Sequence, residues 1–145
     1  MEIIREITAL ETFSVRHPVL RAGKPVESCH FDGDNLDSTK HFGWFENDIL
    51  AGIVTVLENQ SGNFSDVKQF QLRGMAVLEN YQKKGIGEKL VLAAENYSKS
   101  QNGNLIWFNA REIAIGFYEK CGYKKAGNLF EIPGVGPHYI MYKIL

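Results

Sequence analysis

The segment Phe70-Gln-Leu-Arg-Gly-Met-Ala-Val-Leu78, with Gln82-Lys-Lys-Gly-Ile-Gly87 close behind it, decides how this chain is read. Its first part is apolar apart from Gln71 and Arg73, which predicts a strand. A short polar turn follows, and after the two glycines Leu90, Ala93, Ala94 and Tyr97 recur at helical spacing. The layout is strand, glycine-containing turn, helix, with Lys83 and Lys84 at the helix start. The first turn of a helix carries unpaired backbone N–H groups and the positive end of the dipole, so it favours an anion. Gly85 and Gly87 have no Cβ, so a phosphate can approach the backbone closely there. The same residues also suit an ordinary strand-to-helix connection whose lysines are simply solvated. Neither G-x-x-x-x-G-K-[ST] nor G-x-G-x-x-G occurs, which excludes a nucleoside-triphosphate P-loop and a dinucleotide fingerprint.

Outside this core a second block carries information: Asn109-Ala-Arg-Glu-Ile-Ala-Ile-Gly-Phe-Tyr-Glu-Lys-Cys-Gly-Tyr123. Together the two blocks resemble the GNAT superfamily of acetyl-CoA-dependent N-acetyltransferases. That family has a strand ending in A-V, here Ala76-Val77, then [RQ]-x-x-G-x-[GA], here Gln82 to Gly87. A later helix carries A-x-x-[FL]-Y-x-x-x-G-[FY], matched by Ala114, Phe117, Tyr118, Gly122 and Tyr123. Two blocks in the right order at a plausible separation are far more specific than either alone.

The chain has 145 residues, the size of one ordinary domain, and the reading treats residues 1–145 as one GNAT-like domain. Apolar residues make up 44% and charged residues 23%, the balance of a soluble globular protein. A net charge of −1 gives no general attraction to nucleic acid or to anionic membranes, so any anion site is local. No apolar run is long enough for a membrane span and no signal-peptide pattern opens the chain, so a cytoplasmic location is expected. Cys29 and Cys121 do not form a disulfide framework.

Taken in order, Glu2 to Ile7 reads as a first strand, and Thr8-Ala-Leu-Glu11 spells a capping box. Leu10, Phe13, His17 and Leu20 share one face of the helix that follows, Pro18 is expected to kink or divide it, and Ala22 to Pro25 stops it. His17 reads as a packed or half-exposed histidine. Pro25 to Lys40 is irregular, with Asp32-Gly-Asp-Asn-Leu-Asp37 as its polar centre. Cys29, His30, Asp32, Asp34 and His41 match neither zinc nor calcium spacing, so no metal is expected and the segment reads as a solvated loop. His41 to Glu46 and Ile49 to Glu58 form a hairpin about Asn47-Asp48. Leu105 to Phe108 is a buried strand, Glu112 to Cys121 a helix, and Tyr123 to Ile132 with His138 to Leu145 a last pair of strands. This pattern is α/β with a mixed sheet: a central sheet flanked by helices on both faces. The resemblance implies the order β-α-β-β-β-α-β-α-β-β, with a V-shaped opening between the fourth and fifth strands.

The resemblance also implies a chemistry, direct acetyl transfer from acetyl-CoA as co-substrate to a primary amine of a small molecule or peptide. Backbone N–H groups from Gln82, Lys83, Lys84, Gly85, Ile86 and Gly87 would hold the pyrophosphate. Gln82 departs from the commoner arginine, which removes a charge and leaves the backbone cradle. Met75, Ala76 and Val77 would pair with the pantetheine arm, and a backbone N–H there would polarise the thioester carbonyl. Tyr118 would protonate the departing thiolate, with Phe117 beside it against the cofactor. Read without the resemblance, the Phe117-Tyr118 pair is equally a packed apolar pair. Asn109 either reaches the pantetheine or caps the next helix. Arg111 stands where many members have asparagine; it either meets a phosphate or an acidic group on the acceptor. The general base is open among Asp66, Glu112 and His138. His138 is the one residue type of the three that titrates near neutrality, and its bland reading is a surface histidine in a turn. Asp32, Asp34 and Asp37 would attract a cationic amine if they border the acceptor. A CoA-binding module without catalysis, or a transferase for another acyl group, is the alternative reading. A homodimer through the last strands is compatible with this layout.

Overall fold

The computed structural model describes residues 1–145. Strand β1 (Glu2–Ile7) runs antiparallel to β2 (Lys40–Glu46), which turns through Asn47-Asp48 into β3 (Ile49–Glu58). Asn47 and Asp48 both have positive φ, 49° and 69°, the signature of a type I′ hairpin whose twist matches the strands it joins. Strand β4 (Gln69–Val77) adds antiparallel to β3, and β5 (Leu105–Arg111) adds parallel to β4. Strands β6 (Lys124–Ile132) and β7 (Gly136–Ile144) complete a seven-stranded mixed sheet of order β1-β2-β3-β4-β5-β7-β6.

Helix α1 (Phe13–Leu20) packs on one face of this sheet, and α2 (Ile86–Ser100) and α3 (Ile115–Lys120) on the other. Strand alternation sets the two cores. Val54, Val56, Leu72, Phe108 and Ala110 join Leu90, Val91 and Ala94 of α2 and Tyr118 of α3 in the larger one. Ile53 and Ala76 join Val15 of α1 in the smaller one. The element order and the mixed sheet are those expected from the sequence.

Two features position the site. The β4–β5 pairing covers only Gln69–Gln71 against Leu105–Trp107, and beyond it the strands part. On its other side β4 carries a bulge: Thr55 faces Arg73 while Ile53 faces Ala76, so Gly74 and Met75 share the place opposite Val54. Gly74 takes φ +60°, and a Cβ there would lie 3.1 Å from the Phe31 ring.

The first helical segment differs from expectation. The capping box is present, with the Thr8 amide donating to Glu11 Oε1 at 2.9 Å and the Glu11 amide to Thr8 Oγ1 at 3.1 Å. It opens a short 3-10 turn, Leu10–Thr12, ahead of α1. Pro18 sits inside α1 without dividing it, because only two helical residues follow. The buried residues are Thr12, Val15 and Arg16, whereas Leu10 is 73% exposed. Arg16 is tolerated inside because Asp34 neutralises it.

The same pair corrects the reading of Pro25 to Lys40 as a solvated loop. Arg16 donates to both Asp34 oxygens at 2.7 and 3.1 Å, to the Cys29 carbonyl at 2.8 Å and to Thr55 Oγ1 at 2.9 Å. Thr55 Oγ1 lies 2.8 Å from His41 Nδ1, and His41 Nε2 lies 3.0 Å from the Asp34 carbonyl oxygen. A carbonyl can only accept, so Nε2 carries the proton and Nδ1 accepts from the Thr55 hydroxyl. Charge and hydrogen bonds thus pin the segment to the sheet. His17 is half-buried, with Nε2 2.7 Å from the Lys24 carbonyl oxygen.

Candidate active site

Where β4 and β5 part, a cleft of about 1190 Å³ opens through the sheet. Met75, Ala76 and Val77 line it from β4; Gln82, Lys83, Gly85, Ile86 and Gly87 from the turn and the first turn of α2; and Asn109 from β5, with Phe117 and Tyr118 from α3. Eleven of the twelve residues singled out as cofactor-contacting therefore meet around one cavity. Lys84 is the exception: its ammonium lies 5.5 Å from the centroid of the Tyr81 ring, outside the lining.

The turn is built for close approach. Gly85 is the N-cap of α2 with φ +80°, and a Cβ there would meet nothing within 4 Å. Lys83 also has positive φ, 63°. No side chain caps the N-terminus of α2, so the first-turn amides face the cleft mouth without a side-chain acceptor. At Gly87 a Cβ would lie 3.1 Å from Phe117 Cζ; this glycine lets α3 close against α2.

Tyr118 is buried at 7% exposure, its ring centroid 4.3 Å from that of Phe108 and 5.1 Å from that of Phe117. Burial, with Cys121 nearby, pushes the Tyr118 hydroxyl well above its ordinary pKa. Among buried side-chain polar atoms only Arg16 Nε lacks a partner. The Tyr118 hydroxyl makes no protein hydrogen bond, so it opens to the cleft rather than being sealed in the core. The ring packs, as the bland reading has it, while the hydroxyl stays available. Neighbouring Tyr123 behaves differently, donating to Glu95 Oε2 at 2.8 Å, where Lys143 also binds.

His138 lies within β7, in the strand expected for it, and at 4% exposure it is not the surface turn histidine of the alternative reading. Strand β7 begins at Gly136, and Pro137, which has no N–H to give, is accommodated opposite Glu131 of the edge strand β6. Nδ1 lies 2.8 Å from the Gly136 carbonyl oxygen, so in the neutral ring Nδ1 donates and Nε2 keeps its lone pair. His138 lines the cleft; Asp66 and Glu112 do not.

The sheet divides the cleft chemically. Tyr118, Phe117 and the glycine turn lie on the α2–α3 side. Phe108 and Ala110 belong to the core on that side, so alternation turns Asn109 and Arg111 to the α1 side. His138 stands directly across the ladder from Arg111 and shares its face. Arg73, directly opposite Thr55, belongs to the same side. Arg73 and Arg21 line the cleft and were not singled out by sequence reasoning. The available signal was Arg73, the one charged residue of a mainly apolar strand. Asp34 and Asp37, expected to draw in a cationic amine, do not line the cleft; Asp34 is committed to Arg16.

Comparison with known proteins agrees with this layout. The model of the acetyltransferase (GNAT) family matches residues 4–123. The chain is 32% identical over 142 residues to the uncharacterized N-acetyltransferase YitI of Bacillus subtilis, covering 98% of this chain and 95% of that one. A crystal structure from Lactobacillus plantarum, assigned as an N-acetyltransferase, superposes with TM-score 0.80 at 20% identity, covering 99% of this chain and 98% of that one. An aminoglycoside 6'-N-acetyltransferase solved with coenzyme A gives TM-score 0.77 at 18% identity, with coverage of 98% and 96%. The fold is shared with these solved acetyltransferases. The chain belongs to the GNAT acetyltransferase family.

Proposed function

We propose that this protein transfers the acetyl group of acetyl-CoA directly to a primary amine, without an acyl-enzyme intermediate. The observation that carries the reading is the cleft itself. It joins an uncapped helix N-terminus at Gly85, the unpaired edge of β4 at Met75–Val77, and the free hydroxyl of Tyr118. A structural neighbour holding coenzyme A supports the co-substrate.

Acetyl-CoA supplies an activated acyl group whose C–S bond breaks as the C–N bond to the amine forms. The turn from Gln82 to Gly87 would bind the pyrophosphate through its amides. On the side facing β5, β4 has no strand partner beyond Gln71, so N–H groups directed there would pair with the pantetheine arm and stabilise negative charge on the carbonyl oxygen. Tyr118, held protonated by its burial, would give its proton to the leaving sulphur. The Nε2 lone pair of His138 would accept the proton that the amine gives up, directly or through water.

Isothermal titration with acetyl-CoA, followed by a thiol-release assay over a panel of amines, tests this. Acetyl-CoA binding with amine-dependent thiol release is the expected result. Binding with no turnover of any amine would reassign the protein as a CoA-sensing module. No binding would remove the transferase reading altogether.

A further inference from the structure

Accepting the transferase reading above, we propose that the acceptor is an amine that also carries a carboxylate, and that arginines on the α1 side of the cleft recognise it. Arg21 at the end of α1, Arg73 in β4 and Arg111 at the end of β5 line the cleft there, from three separate elements. The only carboxylate lining that side is Asp32; the other lining acid, Glu88, belongs to the first turn of α2.

None of the three arginines forms an ion pair within the protein. Arg73 donates to the Asp32 carbonyl oxygen through Nη1 and to Gln71 Oε1 through Nη2 at 2.8 Å. Arg21 donates to the Leu20 carbonyl at 2.9 Å, with its guanidinium 4.8 Å from the centroid of the Phe31 ring. The Arg111 side chain makes no hydrogen bond within the protein. Neutral oxygens and an aromatic face therefore orient two of these cations without neutralising them. By contrast, the buried Arg16 is ion-paired with Asp34.

Three guanidinium groups against one aspartate give this side a positive field, and apolar walls from Val19, Leu20 and Val135 strengthen it by excluding water. A polycationic acceptor would meet repulsion there. A carboxylate would meet planar forks suited to bidentate pairing. With the carboxylate anchored toward Arg111, an amine on the same small skeleton can approach His138, which faces Arg111 across the ladder.

The test is a matched acceptor panel with thiol release as readout and acetyl-CoA affinity measured alongside. Each α- or ω-amino acid is compared with its own amide and its decarboxylated amine. Spermidine represents polycations, and C-terminally amidated peptides with an acidic second residue represent a carboxylate presented by a peptide. The free carboxylates are expected to exceed their amides in kcat/KM by about tenfold or more, as for one lost charged contact. Arg111→Gln and Arg21→Gln, at exposed and half-buried positions, should each shrink that ratio mainly through KM, with acetyl-CoA affinity unchanged. If only the acidic peptides show the preference, the carboxylate comes from a peptide rather than a free amino acid. Amides or spermidine turned over as well as the amino acids would overturn the proposal alone, as would an undiminished ratio in the Arg21→Gln, Arg111→Gln double variant. Loss of acetyl-CoA binding by the wild-type protein would instead strike the transferase reading on which it rests.

Discussion

The side-chain amide of Gln82 donates a 2.9 Å hydrogen bond to the carbonyl oxygen of Val77, tying the start of the glycine turn to the end of β4. The two halves of the expected cofactor cradle are thus joined by a side chain where a family arginine would bring charge. Gln82→Ala should leave melting nearly unchanged, because the bond is exposed, but weaken acetyl-CoA about fivefold, the effect of one modest hydrogen bond. Titration calorimetry on both proteins decides it, and equal affinities would mean the tie does not organise the turn.

Tyr118→Phe should reduce kcat by roughly 10²–10⁴-fold, the range for a lost general acid, with little change in acetyl-CoA affinity or melting temperature. The hydroxyl has no protein partner to lose. Because burial raises its pKa, Tyr118 stays protonated across the usable pH range, and wild-type kcat should show no falling limb near pH ~10 from this group. A rate profile with such a limb, removed by the substitution, would contradict the raised pKa, whereas an undiminished kcat in Tyr118→Phe would contradict the role.

Gly85 separates backbone from ligand effects. With φ +80° and open space around the missing Cβ, Gly85→Ala meets only conformational strain, about 1 kcal/mol. That corresponds to a loss of roughly 3–5 °C in melting temperature for a chain of this size. Gly85→Glu adds a carboxylate at the helix N-terminus, where the bound phosphates are expected. It should weaken acetyl-CoA far more than the alanine does while melting similarly. Comparable affinities for the two variants would place the pyrophosphate elsewhere.

The Arg16–Asp34–His41 network predicts loss of stability toward acid in two stages. Burial lowers the His41 pKa, outweighing the Asp34 carbonyl that favours the charged ring. The unfolded chain therefore takes up a proton near pH ~6.5 that the folded one resists, and stability falls as pH drops below that value. Burial would raise the Asp34 pKa, but the Arg16 hydrogen bonds and charge and the Phe31 amide together hold it below the usual carboxylate value. Its contribution is complete above pH ~3.9 and disappears as pH falls through the lower folded value. Melting curves of the wild type and His41→Asn should diverge in slope between pH ~7 and ~5; parallel curves would refute the assignment. Asp34→Asn should cost roughly 3–5 kcal/mol at neutral pH by leaving Arg16 uncompensated.

The parts of this molecule written in the sequence are those fixed by neighbours along the chain. Thr8 and Glu11 announce their reciprocal bonds by spacing alone, Asn47-Asp48 announces a tight hairpin, and Gly85 and Gly87 lie between a strand and a helix that periodicity reveals. What stayed hidden depends on distant pairing. Arg16 and Asp34 are 18 residues apart, and nothing local says that a charged helix residue will be the buried one. His138 could be placed on a strand, but only the β5–β7 ladder sets it against Arg111. Arg21, Arg73 and Arg111 become a group only once the two sheet faces are assigned.

The bulge at Gly74 and Met75 is a single surplus residue, and both residues line the cleft. Removing Gly74 would leave Arg73 opposite Thr55 and Ala76 opposite Ile53, so the ladder to β3 would survive intact and even gain regularity. A straightened β4 is expected to continue alongside β5 and close the gap that begins beyond Gln71. Such a deletion is expected to yield a chain that folds and melts cooperatively yet has nowhere to admit either reactant. One added residue in β4 is thus expected to decide whether the sheet stays open or closed at this point.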